Sequence, residues 1–298
     1  HRPYVQRVFL ADGDALIYPQ AGLVEILDLL AENFPKLTRV GIYASPNSLK
    51  SKSVAELTVL REKKLRILYF GLESGDAQTL SAVRKGFTPE EMMNLCRKAQ
   101  QAAMKLSVTA ILGLAGQERS REHARATAEW VTGLSPEFFS LLTMFQRHND
   151  DFLRSITLQT NGGILEEALE IVRHLAPQKT ILRSNHVSNI LHLAGSYPKD
   201  REKIITQAEQ TLAKARQHPG WFNEVPDYSE DNFYVGQVLD FRQHTMKMLP
   251  LPVFFKSKIG RLRPSFRVPH HGLKGNKIGI ISVAMIQTMI FKGAPTLV

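Results

Sequence analysis

The sequence predicts an α/β fold organised around a parallel sheet, and three observations point there. Short β-rich apolar runs recur at roughly 30-residue intervals, amphipathic helical stretches lie between them, and the residues after most runs are polar or glycine-rich. The expected strands are residues 7–11, 39–44, 66–72, 106–112, 138–144 and 180–183. Most are nearly continuous in apolar residues, the pattern of strands covered on both faces.

The helices between them carry local signals. Leu23, Ile26, Leu27 and Leu30 fall at three- and four-residue spacing within residues 22–33. Ser53-Val54-Ala55-Glu56 reads as a capping box. Thr88-Pro89-Glu90-Glu91 opens a helix through residue 103, with proline at its first position and acids in its first turn. Residues 120–131, 165–175 and 199–216 complete the set. Each helix returns the chain for another parallel strand.

At 298 residues and 43% hydrophobic content the chain can bury a substantial core. Its most apolar stretch, residues 278–291, is too short for a membrane span and is interrupted by Ser282, Gln287 and Thr288, so no membrane helix is expected. A lone cysteine, Cys96, excludes an internal disulfide framework and a cysteine-only metal site, which fits a cytoplasmic setting. The chain opens on His1 without an apolar signal core, so an upstream segment is expected. Ten of the 38 basic residues, from Arg242 to Lys292, follow Asp240 with no acid among them, which leaves a formally neutral body and a basic tail. That tail is expected to be loop-rich and poorly structured, or to bind RNA through its cations and Phe254, Phe255 and Phe266.

Residues just after the strands of such units fall on the carboxyl edge of the sheet, where α/β proteins gather ligand sites. Here they read Asp12-Gly13-Asp14, Ser45-Pro46-Asn47, Glu73-Ser74-Gly75-Asp76, Gly113-Leu114-Ala115-Gly116-Gln117 and Arg183-Ser184-Asn185-His186. Each alone is also ordinary turn chemistry. Five at equivalent positions form the polar rim expected of a small-molecule site.

The ordered set Val8 to Ala15, Tyr43-Ala44-Ser45-Pro46, Tyr69 to Gly75, Leu106 to Leu114 and Arg183 to His186 resembles the radical S-adenosylmethionine superfamily, in particular its branch with an Elp3-, MiaB- and NifB-like core. The resemblance runs from about residue 7 to about residue 209. It implies a partial parallel (β/α)6 TIM-like barrel over residues 1–215, incomplete at its N-terminus, followed by an extension over 216–298. It also implies two cofactors, S-adenosylmethionine and a 4Fe–4S cluster, with an electron donor and a small-molecule or RNA substrate as partners. In the intact protein, cleavage of the sulfonium would yield a 5′-deoxyadenosyl radical for hydrogen abstraction.

The same resemblance assigns residues. Asp12, Gly13 and Asp14 stand where the family presents a Gly-Gly-Glu-like motif to the methionyl ammonium, Asp14 being one methylene shorter than glutamate. Ser45 follows the next strand at the same rim. Glu73 and Ser74 match the polar pair near the ribose hydroxyls, to which carboxylate and hydroxyl are suited. Ile111 and Gly113 lie in the stretch that supports adenine, where Ala110 replaces the family's first glycine. Arg183 and His186 are the candidate catalytic residues, one to bind an anionic substrate group and the other to move a proton. Arg84 and Lys85, on the following segment, could pair with the cofactor carboxylate but read more readily as a solvated helix face.

The family's Cys-x3-Cys-x2-Cys loop is missing, and Cys96 sits among core positions of a helix, so the cluster ligands are expected upstream and this chain alone is expected to be inactive. Gln146 to Asp151 also departs from the family's Pro-Gly-Thr-Pro turn. Two rival readings remain open: a phosphate-handling barrel enzyme using residues 113–116 as its anion loop, and an inactive barrel that binds nucleic acid through the tail.

Overall fold

The computed structural model describes residues 4–146, 150–186 and 188–226, and the basic tail lies outside them. Seven strands form one sheet in sequential order: β1 (Arg7–Leu10), β2 (Arg39–Ala44), β3 (Leu65–Glu73), β4 (Lys105–Leu112), β5 (Phe138–Thr143), β6 (Thr180–Arg183) and β7 (Ala194–Tyr197). The first six pair in parallel, and β7 turns back antiparallel on β6. The helices are α1 (Gln20–Asn33), α2 (Pro46–Ser51), α3 (Val54–Glu62), α4 (Ala77–Ala82), α5 (Pro89–Gln101), α6 (Ser120–Leu134), α7 (Asp150–Arg154), α8 (Asn161–His174), α9 (Arg201–Ala215) and α10 (Pro219–Phe222). A 3-10 turn spans Ala15–Ile17.

Sequential order has a consequence for layering. When every parallel crossover advances in one direction with one hand, all helices fall on the same side of the sheet. Val40, Ile42, Leu68, Phe70, Leu106, Val108, Phe139 and Leu141 accordingly share one buried core with Leu23, Leu27, Leu57, Leu60, Cys96, Ala128, Val131 and Leu165 of the helices. The alternate residues of the same strands face the other way, where Phe9, Tyr43, Tyr69, Thr109, Phe138, Ser140 and Ile181 are only partly buried. Strands covered by helices on one face, with an inner face of mixed character, make an α/β partial barrel.

Three rings furnish part of that inner face. Phe9 meets Tyr43 at 4.7 Å and Tyr69 at 5.0 Å between centroids, both edge-on. They close over Gly41, whose missing Cβ would stand 3.1 Å from both the Phe9 and Tyr69 rings. Burial and the neighbouring Tyr69 push the Tyr43 hydroxyl above its usual pKa.

The expected helix starts are present as hydrogen bonds. Ser53 and Glu56 form a reciprocal capping box on α3, as do Thr88 and Glu91 on α5, where the Glu91 amide donates to Thr88 Oγ1 at 3.1 Å and Pro89 occupies the first turn. Thr88→Ala is expected to lower stability by about 1 kcal/mol in urea denaturation, the usual worth of such a cap. Beyond α9, Trp221 and Phe222 pack against the same core, and the Asn161 amide donates to the Glu224 carbonyl at 2.8 Å.

Candidate functional site

The carboxyl ends of β1 to β4 assemble a polar rim. After β1, Asp14 crosses to the next unit: its carboxylate accepts the Ser45 amide at 2.9 Å and the Ser45 hydroxyl. Ser45 in turn caps α2, exchanging hydrogen bonds with Ser48. Two of the expected residues are thus brought together across 31 positions of sequence. Asp12 is exposed, and its carbonyl accepts the Ala15 amide at 2.9 Å in the 3-10 turn. Among the described residues the positive-φ glycines are Gly86, Gly113 and Gly116, so Gly13 holds a backbone conformation open to other residues.

Glu73 ends β3 in an unusual way. A register irregularity between Gly71 and Glu73 inserts an extra residue, and Glu73 takes φ +66°, a left-handed conformation that costs a non-glycine residue about 1 kcal/mol or more. The bulge folds the side chain back along the sheet, so that a Cβ on Gly71 would collide with Glu73 Oε1. That oxygen accepts from Lys85 Nζ at 3.1 Å, while Oε2 is buried with no hydrogen-bond partner among the described residues. The residue is 2% exposed. Lys85 therefore does not lie on a solvated helix face, as the sequence suggested; its side chain is 15% exposed and neutralises this carboxylate. Arg84 is exposed, as expected.

Ser74, one residue on, points into the helix layer. Its hydroxyl lies 2.7 Å from His123 Nδ1 on α6 and accepts the Asp76 amide at 2.9 Å. The Gly75 amide donates to Thr127 Oγ1 at 2.9 Å, and Arg119 forks onto the Asp76 carboxylate. Burial works against the charge on Asp76, but its bonds to Arg119 and Thr79 prevail and hold its pKa below the usual value. The three residues after β3 are thereby fixed, Ser74 and Gly75 onto α6 and Asp76 onto Arg119 at its N-terminus.

The turn after β4 is built on Gly113 and Gly116, at φ +80° and +65°. The Gly113 amide donates to Glu167 Oε1 of α8 at 2.7 Å, and Oε2 accepts the Ser120 hydroxyl. Burial raises the Glu167 pKa, against the opposing pull of His123, Ser120 and Gly113. Ala110 points into the helix-side core, so its methyl group does not encroach on the inner face. Ile111 lies on that inner face, in a small apolar cluster with Val83, Leu114, Met144 and Phe152.

Arg183 and His186 lie farther round, on β6 and its following loop. Arg183 is exposed and lies across from Ser140 on the inner-face register. His186 accepts the Ser188 amide on Nδ1 at 3.2 Å, which places its hydrogen on Nε2, and its ring meets Phe145 edge-on at 6.4 Å. Burial lowers its pKa, so the ring is neutral at pH 7. Ser184 donates to the Leu191 carbonyl at 3.0 Å, and Asn189 donates to Ser184 and to the Leu141 carbonyl, which ties the loop to β5.

Among the described residues no three His, Cys, Asp or Glu side chains are grouped to hold a metal ion. Cys96 is fully buried in the helix layer, and burial pushes its thiol far above the usual pKa. An iron–sulfur cluster therefore does not fit the described residues. Nor is any helix among them long and apolar enough to cross a membrane.

Sequence reasoning missed His123 and Glu167 and gave Lys85 the wrong setting. One signal was present for Glu167: it falls with Ile164, Ala168 and Ile171 on the buried stripe of α8, whereas Glu166 faces solvent.

No family model and no curated protein matches the chain. Solved structures do. Coproporphyrinogen III oxidase from Escherichia coli, described as a radical SAM enzyme, is 20% identical with a TM-score of 0.45, over 57% of this chain and 38% of that one. The Elp3 protein of Methanocaldococcus infernus is 11% identical with a TM-score of 0.49, over 72% of this chain and 54% of that one. TsrM from Kitasatospora setae, a radical S-adenosylmethionine methyltransferase bound to cobalamin and a 4Fe–4S cluster, is 16% identical with a TM-score of 0.38, over 47% and 28%. This chain spans between 28% and 54% of their lengths.

Proposed function

We propose that this chain is the barrel body of a radical S-adenosylmethionine enzyme and that the rim over β1 to β4 receives S-adenosylmethionine. The observation that carries the reading is Glu73. A buried carboxylate held in a left-handed conformation, with one oxygen neutralised by Lys85 and the other unpartnered, is costly unless a donor completes it. The two hydroxyls of a ribose are such donors.

The other rim residues suit the remaining parts of the cofactor. Asp14 has both oxygens on Ser45, yet a carboxylate accepts up to about four hydrogen bonds, so it retains capacity for an ammonium group. Ile111, buried in its apolar cluster, backs the Gly113 turn, whose backbone suits the edge of a flat base. Ser74 has its hydroxyl committed to His123 and Asp76, so its role is to hold the Glu73 loop. S-adenosylmethionine held there would supply a sulfonium that, given one electron from a reduced iron–sulfur cluster, cleaves to methionine and a hydrogen-abstracting 5′-deoxyadenosyl radical. The thiolates for the cluster would come from outside this sequence. Arg183 and His186, two strands beyond the Gly113 turn, remain the residues for the substrate, Arg183 as a cation and His186 as a hydrogen-bond donor through Nε2–H.

Equilibrium dialysis of S-adenosylmethionine against wild type and Glu73→Gln tests this. The substitution should weaken binding by about tenfold or more, since a hydrogen bond to a charged acceptor is worth roughly 1.5–3 kcal/mol. Equal affinity of the two proteins, at unchanged thermal stability, contradicts the assignment.

A further inference from the structure

A buried chain of polar groups, bridged at one point by a 3.6 Å contact longer than a hydrogen bond, joins the two loops that close the rim. It starts at the Gly113 amide after β4, which donates to Glu167 Oε1 at 2.7 Å. The same oxygen lies 3.6 Å from His123 Nε2, which is buried with no hydrogen-bond partner among the described residues. His123 Nδ1 lies 2.7 Å from the Ser74 hydroxyl, which accepts the Asp76 amide at 2.9 Å after β3. Ser74 and His123 are 0% exposed and Glu167 is 2% exposed.

One tautomer gives each of these pairs a donor and an acceptor. The Ser74 hydroxyl can donate to His123 Nδ1 while accepting from Asp76, and in that tautomer the ring hydrogen sits on Nε2, facing Glu167. Serine, histidine and glutamate are also the residue types of an acyl-transfer triad, but this set is sealed from solvent and its hydroxyl meets Nδ1 rather than Nε2. It has no route to a substrate.

We propose that Glu167 and His123 are positioning residues that couple the Gly113 turn to the Ser74 loop, so that the two halves of the rim loosen or tighten as one unit. In a buried network each group polarises its neighbour, and losing one member leaves the next without its partner. Two loops pinned separately would show no such communication. The inference rests on the S-adenosylmethionine reading only for what the rim holds; the coupling belongs to the chain itself.

Amide hydrogen exchange and 15N-resolved spectra of the full chain test it. Ser74→Ala, which touches neither Gly113 nor Glu167, should accelerate exchange at the Gly113 amide by about tenfold and move its resonance. In the other direction, Glu167→Ala should accelerate exchange at Gly75 and Asp76, and Glu167→Gln, which keeps the acceptor for Gly113, should restore both loops. If Glu167→Ala does not fold, the Ser74→Ala measurement decides alone. Gly113 exchange in Ser74→Ala within about twofold of wild type would overturn the coupling. Failure of the wild-type chain to bind S-adenosylmethionine would instead remove the functional reading and leave the exchange result to judge the coupling.

Discussion

Glu167→Ala is expected to cost about 3–5 kcal/mol of folding stability, because it strips a fully buried network of its only carboxylate. The Gly113 amide and the Ser120 hydroxyl lose their acceptor together, and His123 Nε2 faces a void. In a body of this size the melting temperature should fall by roughly 6–20 °C, measured by calorimetry. Glu167→Gln separates charge from shape: its amide oxygen still accepts from Gly113, and most of the stability should return. The pH dependence then identifies the carboxylate. A folded pKa raised by burial means that this group's contribution is full below its unfolded pKa and is lost as pH rises through the higher folded value. The stability of wild type minus that of Glu167→Gln should therefore be greatest in acid and decline toward neutrality. A flat difference from pH 4 upward would show that Glu167 ionises without penalty in the fold.

Gly75→Ala is the second large expected effect. A Cβ there would stand 2.3 Å from the Ala126 carbonyl oxygen and 2.6 Å from the Thr127 nitrogen, both backbone atoms of α6 that cannot swing aside. Relief requires the Glu73–Asp76 loop to lift off the helix, breaking the Gly75 to Thr127 hydrogen bond and straining the bonds on either side of it. The cost should reach about 3 kcal/mol in urea denaturation, the upper range of overpacking penalties. Gly220→Ala, with no atom within 4 Å of the added methyl, serves as the control and should be neutral or stabilising by about 0.5 kcal/mol. Comparable losses in the two variants would mean that Gly75 is not pressed against α6.

What the sequence disclosed and what it concealed divide along the range of the interactions. Residues 39–44 and 180–183 coincide with β2 and β6 because an apolar run marks a buried strand wherever it lies. The capping boxes of α3 and α5 were legible because donor and acceptor sit three residues apart. β7 escaped notice because Ala194-Gly195-Ser196-Tyr197 carries no apolar run and owes its strand geometry to hairpin pairing with β6. α2, α4 and α7, at six residues or fewer, are too short to display a helical period.

The site followed the same rule. The positions of Asp14, Ser45, Glu73 and Gly113 at strand ends were readable from the βα rhythm. The contact of Asp14 with Ser45 spans 31 residues, that of Ser74 with His123 spans 49, and that of Gly113 with Glu167 spans 54, so none leaves a local trace. His123 is flanked by Glu122 and lies near Arg121 and Arg125, which makes its neighbourhood read as solvent-facing. Only the helical phase, with Thr127, Trp130 and Val131 on the same buried side, reveals it.

Calorimetric titration of the wild-type chain with S-adenosylmethionine and, separately, with inorganic phosphate decides whether the rim over β1 to β4 receives the proposed cofactor. Saturable heat is expected with S-adenosylmethionine and none with phosphate, because Glu73 and Asp14 present acceptors and the Gly113 amide is already committed to Glu167. Saturable binding of phosphate with none of S-adenosylmethionine would contradict it and assign the Gly113 turn to an anion.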